Sequence, residues 1–407
     1  MITEELQMIQ TINEVNIPIF NITIHGINDH VNVQKLSTFL LPEYETKNIV
    51  VKVLNKGYSN QLILIDHKKQ YSASLSAIPS LLIRIYGNLT TSLIDRTNEM
   101  KYMKVVGKFK GFQQLYGIFN NGFVYSYIDG CDISLEKLYD IKYGKLIAEK
   151  LAQLHCLSID EFIQQQNKKI NPESQLFPTL FKWINRLDDE FINLSRKLKK
   201  YESIFPSKSY IFNEVIKLKD QYLYNPISKV VLCHNDLNAA NIILAPDENS
   251  VHLIDMEYCD LNYAAYDIGN HFCEFTGPYA IEFKRYPSIE YQKEWVNIYL
   301  TAYYQYSNSK SDLHYNELQW NRSKEDYINQ WIKEINCFAL VSHLLWAVWA
   351  VICASENLYS MDFLAYADSR MKQYYHMKKW LPSTFQLPVV YVNLNRCTYM
   401  CLVLRCS

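Results

Sequence analysis

Glycine placement constrains this chain more than any other property. Eight of its 11 glycines lie in residues 1–130, and none follows Gly277. Glycine supplies the turn conformations that short strands need and weakens helix interiors. The first third is therefore expected to be strands and turns, and the last third long uninterrupted helices. At 407 residues the chain exceeds what one small core can organise, so two lobes are expected.

Periodicity fills in this outline. Asn48 to Leu54 and Gln61 to Asp66 predict strands around a turn at Asn55 to Asn60, and Ser80 to Tyr86 predicts a third. Asp95 to Val106 predicts a helix with Asp95 as N-cap. Gln114 to Phe119 and Phe123 to Ile128 predict a hairpin turning at Asn120-Asn121-Gly122. From Ser134 the apolar period becomes helical, through Leu138, Ile141, Ile147, Leu151 and Leu154. The stretch 160–226 is Lys-rich and interrupted by Pro172, Pro178, Pro206 and Pro226, which predicts helices joined by loops. The last helix is expected to end before Pro382. The expected class is α+β: a two-lobed arrangement with a small β-rich N-lobe, 1–127, and a large helical C-lobe, 128–407.

Bulk properties exclude some functions. A net charge of −1 gives no general attraction to nucleic acid or an anionic membrane. The 10 cysteines show no zinc spacing and no disulfide framework, and the N-terminus lacks a signal-peptide pattern. A reduced, cytoplasmic setting is expected. Cys337 to Ala354 contains no Asp, Glu, Lys or Arg and reaches the lower length limit for a bilayer span. Ser342 and His343 at its middle favour a buried core helix over a membrane span.

Two stretches carry the chemistry. Residues 231–244 include His234, Asp236 and Asn241, and residues 251–257 include Asp255 and Glu257. Protein kinases use the spacing H-R-D-x-x-x-x-N, followed by a strand that delivers a metal-binding Asp. Singly, each residue reads as an ordinary turn former, but the conjunction is specific. Asp236 is the candidate base for an acceptor hydroxyl. Asn241, Asp255 and Glu257 offer the oxygen ligands that Mg2+ prefers. His234 reads as a structural hydrogen-bonding residue. For the nucleotide, ATP, the expected contacts are Lys56, Gly57, Ser59 and Asn60 in the strand-connecting turn. Arg84 on the third strand is an expected phosphate contact, with Glu99 as its ion-pair partner.

An acceptor site is legible as well. Trp346 and Trp349 share a helix face, and Tyr258 and Tyr366 supply further rings. Aromatic faces around a cation recognise ammonium groups. Glu274 could add a full negative charge.

The chain resembles the choline/ethanolamine kinases, from about Leu81 to Lys378. The resemblance rests on Leu82 to Gly87, Leu115-Tyr116-Gly117, Cys233 to Asp236 with Asn241, and Ile254 to Tyr258. It continues through Tyr266 to Phe272, and through Phe338 to Leu340 with Ser342 to Trp346 and Trp349. It implies a protein-kinase-like fold in which Asp236 is the base, Asn241 and Asp255 hold magnesium, and Arg84 meets ATP phosphate. Tyr258, Trp346, Trp349, Tyr366 and Glu274 would form the aminoalcohol pocket. It also implies a cytosolic enzyme of phospholipid headgroup synthesis, often a homodimer. Departures from the usual choline kinase pattern are Asn238 in place of Gln and Met256 in the metal-site phrase. Asn120 to Gly122 and Ala265 to Ile268 resemble the ethanolamine branch, while Leu344 to Trp346 and Cys273-Glu274 resemble the choline branch. The aromatic supply leans the expectation toward choline, with ethanolamine as the alternative. Further alternatives are a kinase of another small hydroxyl substrate, such as an aminoglycoside, and a catalytically inactive binding protein on the same fold. The intact Asp236, Asn241 and Asp255 oppose the last of these.

Overall fold

The computed structural model describes residues 17–40, 49–54, 60–67, 79–87, 93–109, 111–157, 173–189, 191–192, 207–277, 283–307, 310–356 and 362–385. Lys56, Gly57 and Ser59 lie outside these residues, as does the tail 388–407.

Among the described residues the strands of the first third are β1 (Ile19–Phe20), β2 (Ile49–Leu54), β3 (Asn60–His67), β4 (Leu81–Tyr86), β5 (Leu115–Phe119) and β6 (Gly122–Ser126). They form one sheet in the order β1-β5-β6-β4-β3-β2, with only β1 and β5 parallel. Helix α1 (His30–Leu40) and α2 (Arg96–Val106) accompany it. Asp95 caps α2 as the sequence predicts, accepting from the backbone N–H groups of Thr97 and Asn98. The two faces of β4 part company by strand alternation. Leu81, Ile83 and Ile85 join Val33 and Leu36 of α1 in one buried cluster. Each fully buried side chain of this kind contributes about 2 kcal/mol. Leu82 joins the main core instead, together with Tyr102, Met103, Val105 and Val106 of α2. Arg84 lies between Leu82 and Tyr86 on that same inward face, buried to 4% exposure.

Among the described residues, the rest of the chain is mainly helical, with short strands. After β7 (Cys131–Asp132) come α3 (Leu135–Leu138), α4 (Ile141–His155), α5 (Leu176–Arg186) and α6 (Lys208–Lys217). Pro178 sits in the first turn of α5, where its missing N–H costs no helical bond. Then follow β8 (Val230–Cys233), β9 (Ile242–Leu244), β10 (Val251–Leu253) and β11 (Asp260–Tyr263). The last helices are α7 (Ala264–Glu274), α8 (Ile289–Tyr306), α9 (Lys310–Ser355) and α10 (Phe363–Phe385). Helix α10 passes Pro382, where the sequence places its end. Proline removes one backbone bond and strains the preceding turn, but here the helical path resumes beyond it.

Two close approaches depend on glycine. Gly130, at φ +145°, precedes β7, and a Cβ there would lie 2.3 Å from the Leu244 carbonyl oxygen. Gly269 of α7 lets that helix meet α9, since a Cβ would lie 2.5 Å from the Ile335 carbonyl oxygen. The apolar stretch of α9 is packed inside the fold, with Phe338, Ala339, Leu344, Ala347 and Val348 at 0% exposure. Its lack of charge is that of a core helix.

Candidate active site

Paired short strands present the reactive residues. β8 pairs antiparallel with β11 and ends at Cys233, so His234, Asn235 and Asp236 emerge from a buried strand. β9 and β10 pair antiparallel and deliver Asn241 at one end and Asp255 at the other. The Ile254 N–H donates to the Asn241 carbonyl at 3.0 Å, which joins the two segments. His234 bridges them again. It donates through Nε2 to the Ile254 carbonyl at 2.8 Å and accepts the Asp236 N–H through Nδ1 at 3.3 Å. Its structural role agrees with the sequence reading.

Asn235 and Asp255 adopt φ of +64° and +65°, the left-handed region that side chains other than glycine rarely occupy. Such conformations persist where surrounding bonds enforce them. Asp267 of α7 supplies those bonds for Asn235. It accepts the His234 N–H at 2.7 Å, the Asn235 N–H at 2.8 Å and His155 Nε2 at 3.1 Å. Burial alone would push the Asp267 carboxyl up, but His155 and His234 hold it below its ordinary value. Asn270, one turn further along α7, donates to the Asn235 carbonyl at 3.2 Å. Its Oδ1 accepts from the Ser342 hydroxyl at 2.7 Å and from Trp346 Nε1 at 2.8 Å, fixing the indole to the loop.

Both oxygens of Asp236 are engaged. Asn238 Nδ2 donates to Oδ1 at 3.1 Å, and Asn241 Nδ2 donates to Oδ2 at 3.1 Å. Burial, followed by the charges of Glu274 and Asp255, pushes the Asp236 carboxyl well above the usual carboxylate range. Asn241 spends its amide nitrogen on Asp236, so its oxygen is the end left to act as a ligand. The Asp255 side chain is 32% exposed, whereas those of Glu257 and Arg84 are 8% and 5% exposed. An amide oxygen beside an open carboxylate is a hard-donor set of the type that suits magnesium.

Arg84 is held by three carboxylates. Nη1 lies 2.9 Å from Glu99 and 3.0 Å from Asp255, and Nη2 lies 2.6 Å from Glu257. The Arg84–Glu99 pair expected from sequence is present, and the guanidinium also joins the small lobe to Asp255 and Glu257. Asn60 approaches Glu257 at 3.4 Å through Nδ2. The sequence reading missed Arg96, which pairs with Glu99 at 2.8 Å, donates to Asn60 at 3.2 Å and lies over the Tyr86 ring. Its place three residues before Glu99 on α2 was the available signal. Burial and the Asp255 charge push the Glu257 carboxyl up despite Arg84 and Arg96.

The aromatic residues converge. The Tyr258 and Trp346 rings are 5.2 Å apart edge to face, and Trp346 and Trp349 are 5.5 Å apart. Trp349 Nε1 donates to the Tyr258 hydroxyl at 2.9 Å. The Asp236 charge reaches Tyr258 and Tyr366, so the rings and the candidate base share one neighbourhood. Glu274 does not offer an unopposed charge, because Arg370 of α10 pairs with it. The sequence reading missed Arg370. Its signal was the spacing of four from Tyr366 on one helix face.

A cavity of about 680 Å³ lies between the start of α2, α5 and residues 257–262. Glu257, Tyr258, Trp183 and Trp346 help to wall it, but Asp236, Glu274 and Tyr366 do not. The Tyr258–Trp346 pair thus also bounds a space that Asn235, the neighbour of the candidate base, helps to line.

A strand-delivered acidic loop joined to a mostly antiparallel sheet is the arrangement of a protein-kinase-like phosphotransferase. The family model for choline/ethanolamine kinase matches residues 51–375, and the chain belongs to that family. It is a kinase that uses ATP and phosphorylates an alcohol. Ethanolamine kinase 1 of Homo sapiens is 33% identical over 89% of this chain and 75% of its own length. Ethanolamine kinase 1 of Mus musculus is 34% identical over 83% of this chain and 86% of its own length. A solved Plasmodium vivax ethanolamine kinase superposes with a TM-score of 0.65 at 25% identity, covering 83% of this chain and 85% of its own. Choline kinase from Cryptosporidium parvum also gives 0.65, at 22% identity over 88% and 97%, and shares the fold.

Proposed function

We propose that the chain transfers the γ-phosphoryl group of ATP to the hydroxyl of ethanolamine, giving phosphoethanolamine for phospholipid synthesis in the cytosol. The observation that carries the chemistry is Asp236, held by Asn238 and Asn241 beside Glu274 and Asp255. The names of the relatives at 33–34% identity support ethanolamine. Choline, toward which the aromatic composition leans, is the second reading. It is favoured by the wall of Tyr258, Trp346 and Trp349, because a quaternary ammonium is held by ring faces.

In this reading Asp236 orients the acceptor hydroxyl and takes its proton as the new oxygen–phosphorus bond forms and the bond to the leaving ADP breaks. Asn238 and Asn241 hold the carboxylate in one orientation. Magnesium would be held by Asn241 and Asp255, with Glu257 beside them, and would neutralise charge on the phosphates. Arg84 fixes Asp255 and Glu257 in position, and contact with an ATP phosphate would draw it away from Asp255. Tyr258, Trp346, Trp349, Tyr366 and Glu274 surround the ammonium end. Lys56, Gly57, Ser59 and Asn60 belong to the nucleotide side.

A coupled ATP-consumption assay with ethanolamine, choline and an aminoglycoside tests the proposal. Turnover should be greatest with ethanolamine and measurable with choline. Inertness toward both would overturn it, and a preference for choline would install the second reading.

A further inference from the structure

Arg96 opens α2 in a place that helix stability does not ask for. A cation in the first turn opposes the helix dipole, and its pairing with Glu99 at i, i+3 recovers only a little. The guanidinium is nonetheless held from several sides. Nη1 lies 2.8 Å from Glu99 Oε2 and 3.5 Å from Glu257 Oε2. Nη2 donates to Asn60 Oδ1 at 3.2 Å, and the central carbon lies 4.7 Å from the middle of the Tyr86 ring. Asn60 and Tyr86 face one another across β3 and β4. One strand pair therefore fixes both the tip and the face of the fork.

Arg84 and Arg96 divide the same carboxylates. Arg84 meets Glu99 through Oε1 at 2.9 Å, while Arg96 meets Oε2. Both address Glu257 through Oε2, Arg84 at 2.6 Å and Arg96 at 3.5 Å. Asn60 Nδ2 reaches that oxygen too, at 3.4 Å. The Glu99 side chain is fully buried and that of Glu257 nearly so, and a buried carboxylate stripped of its cation is costly. Asp255 is more open and has solvent to turn to. If Arg84 turned to a phosphate, Glu99 and Glu257 would both lose it at once. Arg96 already holds the first and stands beside the second.

We propose that Arg96 is a positioning residue for nucleotide binding: it keeps Glu99 and Glu257 paired once Arg84 turns to an ATP phosphate. The inference rests on the reading of Arg84 as a phosphate contact and deepens it. In the nucleotide-free chain both arginines share the two carboxylates. In the ATP-bound chain Arg96 carries them alone, so its worth is greater there. A residue of greater worth in the bound state contributes to affinity by that difference. The effect is confined to ligands that carry phosphate, because adenosine gives Arg84 nothing to turn to.

The test titrates ATP and adenosine, in magnesium buffer without an alcohol, into the full chain and its Arg96→Gln and Arg96→Lys variants by calorimetry. Melting temperatures with and without ATP are measured alongside. Arg96→Gln should weaken ATP binding about tenfold and leave adenosine within about twofold of wild type. The rise in melting temperature on adding ATP should shrink with it. Arg96→Lys keeps the charge without the fork and should weaken ATP about threefold. Where Arg96→Gln does not fold, Arg96→Lys decides. ATP affinity within about twofold of wild type in both variants would overturn the inference, as would an equal loss for adenosine and ATP. A wild-type chain that binds adenosine as tightly as ATP removes the phosphate contact of Arg84 and this inference with it. A chain that binds ATP but phosphorylates neither alcohol defeats the function proposed above, while the titrations still decide the role of Arg96.

Discussion

Arg84 and Asp255, separated by 171 positions in sequence, meet at 3.0 Å, and this pair draws the strand of the small lobe onto the acidic loop of the large one. Glu99 and Glu257 complete the set of carboxylates around the same guanidinium. Arg84→Met would leave the buried Glu99 and Glu257 carboxylates without this partner, a loss of about 3–5 kcal/mol. Arg84→Lys would keep the charge but not the fork. We expect a lower melting temperature for Arg84→Met and reduced turnover for both variants. An Arg84→Met chain that melts with wild type would refute the arrangement.

Asp236→Asn keeps shape and most hydrogen bonds but removes the proton acceptor. The expected loss in kcat is about 10²–10⁴-fold, with ATP affinity retained. Calorimetric titration of ATP separates this from misfolding. Turnover above a tenth of wild type would remove Asp236 from the role of base.

The acidic limb of the pH profile should carry the mark of burial. Asp236 must be ionised to accept a proton, and burial with the Glu274 and Asp255 charges raises its pKa. kcat/KM should therefore fall, as pH is lowered, at a pH above the ordinary carboxylate range. Because Glu274 is one of the charges responsible, Glu274→Gln should move that limb toward lower pH. A limb at the same pH in both proteins contradicts the assignment.

His271 gives a stability prediction of definite sign. It is fully buried, its Nδ1 lies 2.8 Å from the Leu237 carbonyl oxygen, and burial lowers its pKa to about 4. The unfolded chain binds the extra proton first, below its ordinary value of 6.5. The contribution of His271 is present above that value and is lost as pH falls toward 4. In denaturant unfolding, the stability difference between wild type and His271→Gln should shrink by roughly 3 kcal/mol across this window. A constant difference would refute it.

Trp349→Ala removes a ring face and the donor to Tyr258. KM for ethanolamine and for choline should rise about tenfold, the scale of a partly desolvated cation–π contact, with a smaller change in kcat. Steady-state kinetics with both alcohols provide the check, and unchanged KM values would exclude Trp349 from the pocket.

The features legible in the sequence were local ones. Asp95 announced the start of α2 because capping is decided within three residues, and Asn120 to Gly122 announced the β5–β6 turn for the same reason. The candidate catalytic loop was legible because its spacing is fixed over six residues. Arg370 was hidden, because it lies 96 positions from Glu274 on another helix and only packing brings them together. Arg96 sat in view beside Glu99, but its contact with Asn60 needs the sheet to be assembled. At Pro382 the local rule for helix ends lost to the continuing helix. The turn at 55–59 and the tail 388–407 lie outside the described residues.

Helix α2 belongs by sequence to the first third, yet Tyr102, Met103, Val105 and Val106 sit in the same apolar cluster as Leu151, Leu237 and Leu253. The Tyr102 hydroxyl donates to Asp260 at 2.6 Å. Severing the chain near residue 127 would strip both pieces of a shared interior, so neither fragment should survive by itself. Calorimetry of the intact enzyme should accordingly record a single cooperative endotherm, with sheet and helices lost in concert.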